Sequence, residues 1–315
     1  MISSKKFLPE EITYQLFDIN PAEYYQKRFF VENRLNVAEE SKAIRHTILY
    51  QKIQYLSDLI KQIDGEHTPL KVLDVGCGSG LIGARIKHFF PASYLCGVDM
   101  SQDCITTAKR NGYDDVLVHD VINNLPYQDD YFDLVFTMDF FGHVEFRYKN
   151  NIISEIHRVT KKGGYGFHGI EAGFIDYFRC NPKDPQDTVR KYVNLEGHIG
   201  VEPLEDIAVR FGQYFTILTA FPWPIRPFLN IDNILAGNVW GEEFSKAFSM
   251  VDHYHSRVAA DLVLGYCTKY FNDQFLQLFG NILTRNHLQC EESWKPLVEK
   301  FIQGRGFAMI TMSKS

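Results

Sequence analysis

Between Glu40 and Ile63 apolar residues recur at Ile44, Ile48, Ile53, Leu56, Ile60 and Ile63, the spacing of one helical stripe. The pattern predicts a long amphipathic helix that stops at Asp64-Gly65, with Pro69 just beyond. The rhythm then changes to short apolar runs alternating with helical stretches: KVLDV, a glycine loop and a helix to Phe90; SYLCGVD and a helix through Lys109; DVLVHD; FDLVFTM; a helix in NNIISEIHRVTKKGG; and YGFHGIE. Strand and helix in alternation predict a parallel sheet with helices on both faces. Asn181, Pro182, Asp184 and Pro185 break the pattern, a sixth strand is expected near Tyr214 to Ala220, and GFAMITMSK reads as a seventh. The fold class is therefore α/β: a doubly wound, Rossmann-like, seven-stranded and mostly parallel sheet. Four regions follow, namely an N-terminal helical lid segment over 1–68, a core over 69–229, a helical insertion expected to cap the substrate over 230–303 and the last core strand over 304–315.

Composition narrows the classes of function. At 315 residues with 45% hydrophobic and 23% charged, the chain resembles a soluble globular protein. A net charge of -6 without a basic run speaks against a large nucleic-acid footprint. MISSKKFLPEE lacks the apolar core of a signal peptide and no apolar run is long enough to cross a bilayer, so a cytoplasmic protein without membrane partners is expected. The six cysteines show no metal-ligand spacing, and free thiols are expected.

The strongest chemical signal is Val72-Leu73-Asp74-Val75-Gly76-Cys77-Gly78-Ser79-Gly80, a strand tip, alternate glycines and then a helix. Glycines let the backbone turn sharply and approach a ligand, and the helix start offers free N–H groups. Asp99 ends the next strand, where a carboxylate can accept from both ribose hydroxyls of an adenosine-type cofactor. Gly78, Gly80 and Gly83 also satisfy the dinucleotide fingerprint. Asp74, placed on the rim before the turn, would repel a pyrophosphate and suits a cationic ligand instead.

These residues resemble the class I S-adenosylmethionine-dependent methyltransferases of the small-molecule type, whose first motif is an acidic residue followed by GxGxG, matched by Asp74, Gly76, Gly78 and Gly80. The likeness runs from about Val72 to Ile170. It implies S-adenosyl-L-methionine as cofactor, with Gly76, Cys77, Gly78 and Gly80 around its methionyl part, Asp99 on the ribose and Met100 on the adenine face. Asp120 and Val121 are the expected adenine contacts, and carbonyls of Thr137, Met138 and Asp139 would cup the ammonium. The segment GHIGVEPLEDI resembles a histidine-bearing stretch of many small-molecule members.

Methyl transfer is an in-line displacement, so alignment dominates, and a general base helps only if a hydroxyl attacks. His143, after the fourth strand, and His198, after the fifth, are the candidate catalytic bases. Asp139, Glu145 and Glu171 are candidate orienting groups or plain solvated charges. No metal site is expected: His253 and His255 in Asp252-His253-Tyr254-His255 would point to different helix faces. The stretch Phe221-Pro222-Trp223-Pro224-Ile225-Arg226-Pro227-Phe228, with Tyr24, Tyr25, Phe29 and Phe30, reads either as a lid or as packing, whereas Phe89-Phe90 and Phe140-Phe141 read as core. The expected activity is methylation of a partly apolar small molecule, most directly an O-methyltransferase. Nitrogen or carbon acceptors, an NAD(P)-dependent oxidoreductase and a non-catalytic cofactor-binding protein are the alternatives, and a homodimer through the insertion is a further expectation.

Overall fold

The structure, a computed structural model, describes residues 43–63, 69–173, 184, 186–187, 197–223 and 306–315. The expected insertion over 230–303, most of the N-terminal segment and the aromatic residues Tyr24, Tyr25, Phe29 and Phe30 lie outside the described residues, as do Asp252 to His255. Helix α1 (Ala43–Ile63) is followed by β1 (Lys71–Val75), α2 (Leu81–Phe89), β2 (Tyr94–Asp99), α3 (Gln102–Arg110), β3 (Asp115–Val118) and β4 (Phe132–Met138). A short 3-10 turn (Phe141–His143) leads to α4 (Phe146–Val159), β5 (Thr160–Ala172), α5 (Leu204–Gly212), β6 (Thr216–Trp223) and β7 (Gly306–Ser313).

The seven strands form one sheet in the order β3-β2-β1-β4-β5-β7-β6, with β7 antiparallel to both of its neighbours and the remaining pairs parallel. Strands β1 and β4 lie in the middle, and their near-continuous apolar sequences reflect burial on both faces. Alternation sorts their side chains into two cores. Val72, Leu134, Phe136 and Phe167 face a layer containing Ile53, Leu56, Leu59 and Ile60 of α1, Ile86 of α2 and Ile105 of α3. Leu73, Val75, Val135 and Ile170 face the opposite layer with Ile152, Ile153 and Ile156 of α4 and Ile207 and Phe211 of α5. The helical stripe read from the sequence is thus the buried face of α1 from Ile53 onward.

Three expectations need correction. Phe221-Pro222-Trp223 is the end of β6, which begins later and runs further than expected, while residues 224–228 of the same stretch lie outside the described residues. Proline is accommodated because β6 is the edge strand among the described residues, bonded there to β7 alone, with Pro222 opposite Ala308. Phe89 is not core: it sits at the end of α2 with 37% of its surface exposed, against the edge of His88. Asp74 is not on a rim, as described below. No described helix is long and apolar enough to cross a membrane.

Candidate active site

The loop after β1 turns on three glycines in the left-handed region, Gly76 at φ 73°, Gly78 at 53° and Gly80 at 77°. Gly80 also caps the start of α2, so the loop delivers backbone N–H groups to one point. Gly76 faces a second constraint: a Cβ there would lie 2.4 Å from Phe140 Cδ2. The Gly76 and Cys77 amides donate to the Val98 carbonyl, which ties the loop to β2.

Asp99, at the C-terminal end of β2, completes this frame. Its Oδ2 accepts from the Gly78 amide at 3.0 Å and its Oδ1 from the Ser101 amide at 2.9 Å. These two bonds fix the carboxylate at the strand end, and a carboxylate is the group that accepts from a pair of vicinal hydroxyls. A ribose fits this donor and acceptor set. Met100 adjoins Asp99, half-buried.

Asp74 is 3% exposed and points into the core, where Oδ2 accepts the Tyr113 hydroxyl at 2.6 Å. The alternation of β1 aims it at the α1 layer, inside the loop rather than outside it. Burial raises its pKa to about 7; the Tyr113 bond works against this and the charge of Asp99 adds to it. Tyr113 fills a slot made by missing side chains, since a Cβ on Gly80, Gly83 or Gly97 would come within 2.7, 2.0 or 2.8 Å of its ring or hydroxyl. Gly83, the third glycine of the dinucleotide fingerprint, thus makes room for Tyr113.

The remaining cofactor candidates lie along the same C-terminal edge of the sheet. Asp120 is half-buried and its Oδ1 accepts from the Ile122 amide at 3.2 Å, while the Val121 side chain belongs to the core. Thr137 is fully buried on the α5 side with its hydroxyl 2.9 Å from His168 Nδ1, which leaves only its backbone for a ligand; Met138 is 7% exposed on the opposite side. His168 is held neutral, its pKa lowered by burial to about 3. Asp139 takes φ 53° and is gripped by Lys52 of α1, whose Nζ lies 2.5 and 2.6 Å from its two oxygens. Helix α1 is thereby anchored over the end of β4.

His143 and His198 come together although 54 residues separate them in the chain. Their rings are stacked, with centroids 4.6 Å apart, and Glu171 at the end of β5 serves both: Oε1 is 3.5 Å from His143 Nε2 and 3.8 Å from His198 Nε2. Glu171 is 8% exposed, and a Cβ on Gly142 would sit 2.6 Å from its Oε2. Burial alone would raise the pKa of this carboxyl, but the two imidazoles reverse the sign and hold it well below the usual carboxylate range. Glu145 stands at the start of α4, its Oε2 3.1 Å from Arg147 Nε.

The placement of His198 depends on a latch that sequence reasoning missed. The Gly200 amide donates to the Gly142 carbonyl at 2.8 Å, and any side chain at Gly200 would collide with the Val144 carbonyl. Buried Lys149 of α4 donates to the Gly200 carbonyl and to Glu202 Oε1 at 2.7 Å; Arg210 of α5 closes the network on Glu202 Oε2 at 2.8 Å.

Residues 73–167 match the family model described as a methyltransferase domain. By this match and by its glycine loop, the stretch resembles the class I S-adenosylmethionine-dependent methyltransferases. An uncharacterized methyltransferase of Schizosaccharomyces pombe is 30% identical to this chain over 122 residues, 35% of this chain and 41% of that one. The mitochondrial ubiquinone biosynthesis O-methyltransferase of Candida albicans is 28% identical over 117 residues, 35% of each chain. The chain thus spans less than half the length of these relatives. A solved structure described as a sarcosine dimethylglycine methyltransferase, from Galdieria sulphuraria, shares the fold at a TM-score of 0.50 and 13% identity, over 84% of this chain and 86% of that one.

Proposed function

We propose that this methyltransferase domain methylates a partly apolar small molecule, with a hydroxyl oxygen as the acceptor. The observation that carries the cofactor half of this reading is the Asp99 carboxylate pinned between the Gly78 and Ser101 amides beside three left-handed glycines. S-adenosyl-L-methionine supplies an electrophilic methyl group on a sulfonium. Asp99 would hold its ribose, Gly76, Cys77, Gly78 and Gly80 its methionyl part, the carbonyls of Thr137 and Met138 its ammonium, and Met100, Asp120 and Val121 its adenine. Asp74 contributes from below, by fixing Tyr113 against the loop.

A hydroxyl acceptor is favoured by the His143–Glu171–His198 cluster, which stands next to the loop: Phe140, against which Gly76 packs, is three residues from His143. Proton removal from the acceptor is assigned to that cluster, and a nitrogen or carbon nucleophile would have less need of it.

Calorimetric titration with S-adenosylhomocysteine and with NADH tests the cofactor. Binding of the former at micromolar concentrations, and weakening by about 10- to 100-fold in Asp99→Ala, are expected from the loss of charge-assisted hydrogen bonds. Binding of NADH alone, or unchanged affinity in the variant, would overturn the reading. Turnover with matched hydroxyl and amine acceptors then separates the two acceptor atoms.

A further inference from the structure

His143, Glu171 and His198 present three ligand atoms within 4.8 Å of one another, and their chemistry asks for a cation. His143 Nδ1 lies 3.2 Å from the Gly197 carbonyl oxygen. A carbonyl only accepts, so Nδ1 donates to it, and Nε2 is the ring atom turned to the carboxylate. It stands 3.5 Å from Glu171 Oε1. A buried carboxylate needs positive charge beside it, and two imidazole nitrogens around one oxygen are placed to share such a charge. A second observation points the same way: Glu171 Oε2 is buried and has no hydrogen-bond partner, an expensive state for a carboxylate oxygen.

We propose that His143, Glu171 and His198 form a binding site for a divalent cation of the zinc type. Two ligand atoms each about 2.1 Å from such an ion, with bonds about 110° apart, stand about 3.4 Å from one another. The spacings from Oε1 of 3.5 Å to His143 and 3.8 Å to His198 are close to this. The donor set, two imidazoles and one carboxylate, suits a borderline ion rather than the oxygen-preferring magnesium or calcium. The Gly197 carbonyl orients the His143 ring from behind, as outer-shell partners do in histidine metal sites, and Gly142 leaves the space that Glu171 occupies. Three protein ligands leave a coordination position for an oxygen of water or of the acceptor. Within the methyl-transfer reading, on which the site itself does not depend, the ion would lower the pKa of a bound hydroxyl.

The test is uptake of Zn2+ by the chelator-stripped full chain, measured by calorimetry and by elemental analysis after dialysis, with the visible spectrum of the Co2+-loaded protein reporting nitrogen and oxygen ligation. One ion per chain is expected beyond what Glu171→Gln takes up, and that variant and His198→Asn should each bind at least tenfold more weakly. Thermal unfolding and S-adenosylhomocysteine binding on the same samples establish that the variants are folded. Absence of uptake, or equal uptake by wild type and Glu171→Gln, overturns the site. S-adenosylhomocysteine binding without metal uptake removes the metal and leaves the cofactor reading standing, whereas the reverse result removes the cofactor reading alone.

Discussion

Asp74 behaves unlike an ordinary carboxylate of the chain. With its pKa raised to about 7, it keeps a proton in the fold that the unfolded chain releases near pH 4. The stabilisation is complete below pH 4 and is lost as the pH climbs through 7, by at most about 4 kcal/mol. Asp74→Asn preserves an acceptor for Tyr113 but carries no proton to lose. Its melting temperature should therefore fall less than that of the wild type between pH 5 and pH 8; parallel curves would place the titration elsewhere. Gly76 permits a second residue-level test. Gly76→Ala imposes both a left-handed alanine and a contact at 2.4 Å with Phe140, so S-adenosylhomocysteine affinity should drop at least tenfold. Adding Phe140→Ala should recover only the steric part, because φ is unchanged, and the comparison of both titrations checks this.

At the scale of elements, the latch between α4 and the loop before α5 decides where His198 stands. Lys149→Met removes the buried donor to Gly200 and Glu202 while Arg210 still holds Glu202, and should destabilise the protein by about 3 kcal/mol. Urea unfolding measures this loss. If the latch also sets the histidine pair, turnover falls further than S-adenosylhomocysteine affinity does. None of this was readable in advance, because a lysine in an amphipathic helix looks solvated until a partner some fifty residues away is known. The strands were legible for the opposite reason: β1, β2 and β4 are buried on both faces, and each announces itself as a continuous apolar run between turn residues. The glycine loop and Asp99 were legible because their chemistry is local. Glu171 was legible only as an ambiguous charge, since its meaning depends on two histidines brought to it from different loops. Asp74 was misplaced because its motif fixes its position along β1, while the residue that closes over it on that face, Tyr113, lies far along the chain.

Across the whole molecule, the cofactor loop, α1 and the histidine pair all converge on one end of the sheet, through the Lys52–Asp139 ion pair, the Gly76–Phe140 contact and the Gly200–Gly142 bond. A ligand seated there should stabilise the entire fold rather than one loop. S-adenosylhomocysteine at about 100 times its Kd should add about 2.7 kcal/mol, which appears as a rise of a few degrees in a single unfolding transition. A transition that splits instead would show that the two halves of the sheet unfold separately.

The place of β7 has a consequence for how the molecule comes into being. It lies between β5 and β6, yet residues 224–305 are synthesised before it. While the ribosome is adding that stretch, β5 and β6 both lack the strand that pairs with them in the finished sheet. The nascent chain must keep both flanks from sticking to other chains until the missing strand emerges, so this protein's yield in a cell should respond strongly to chaperones that shield unpaired strands.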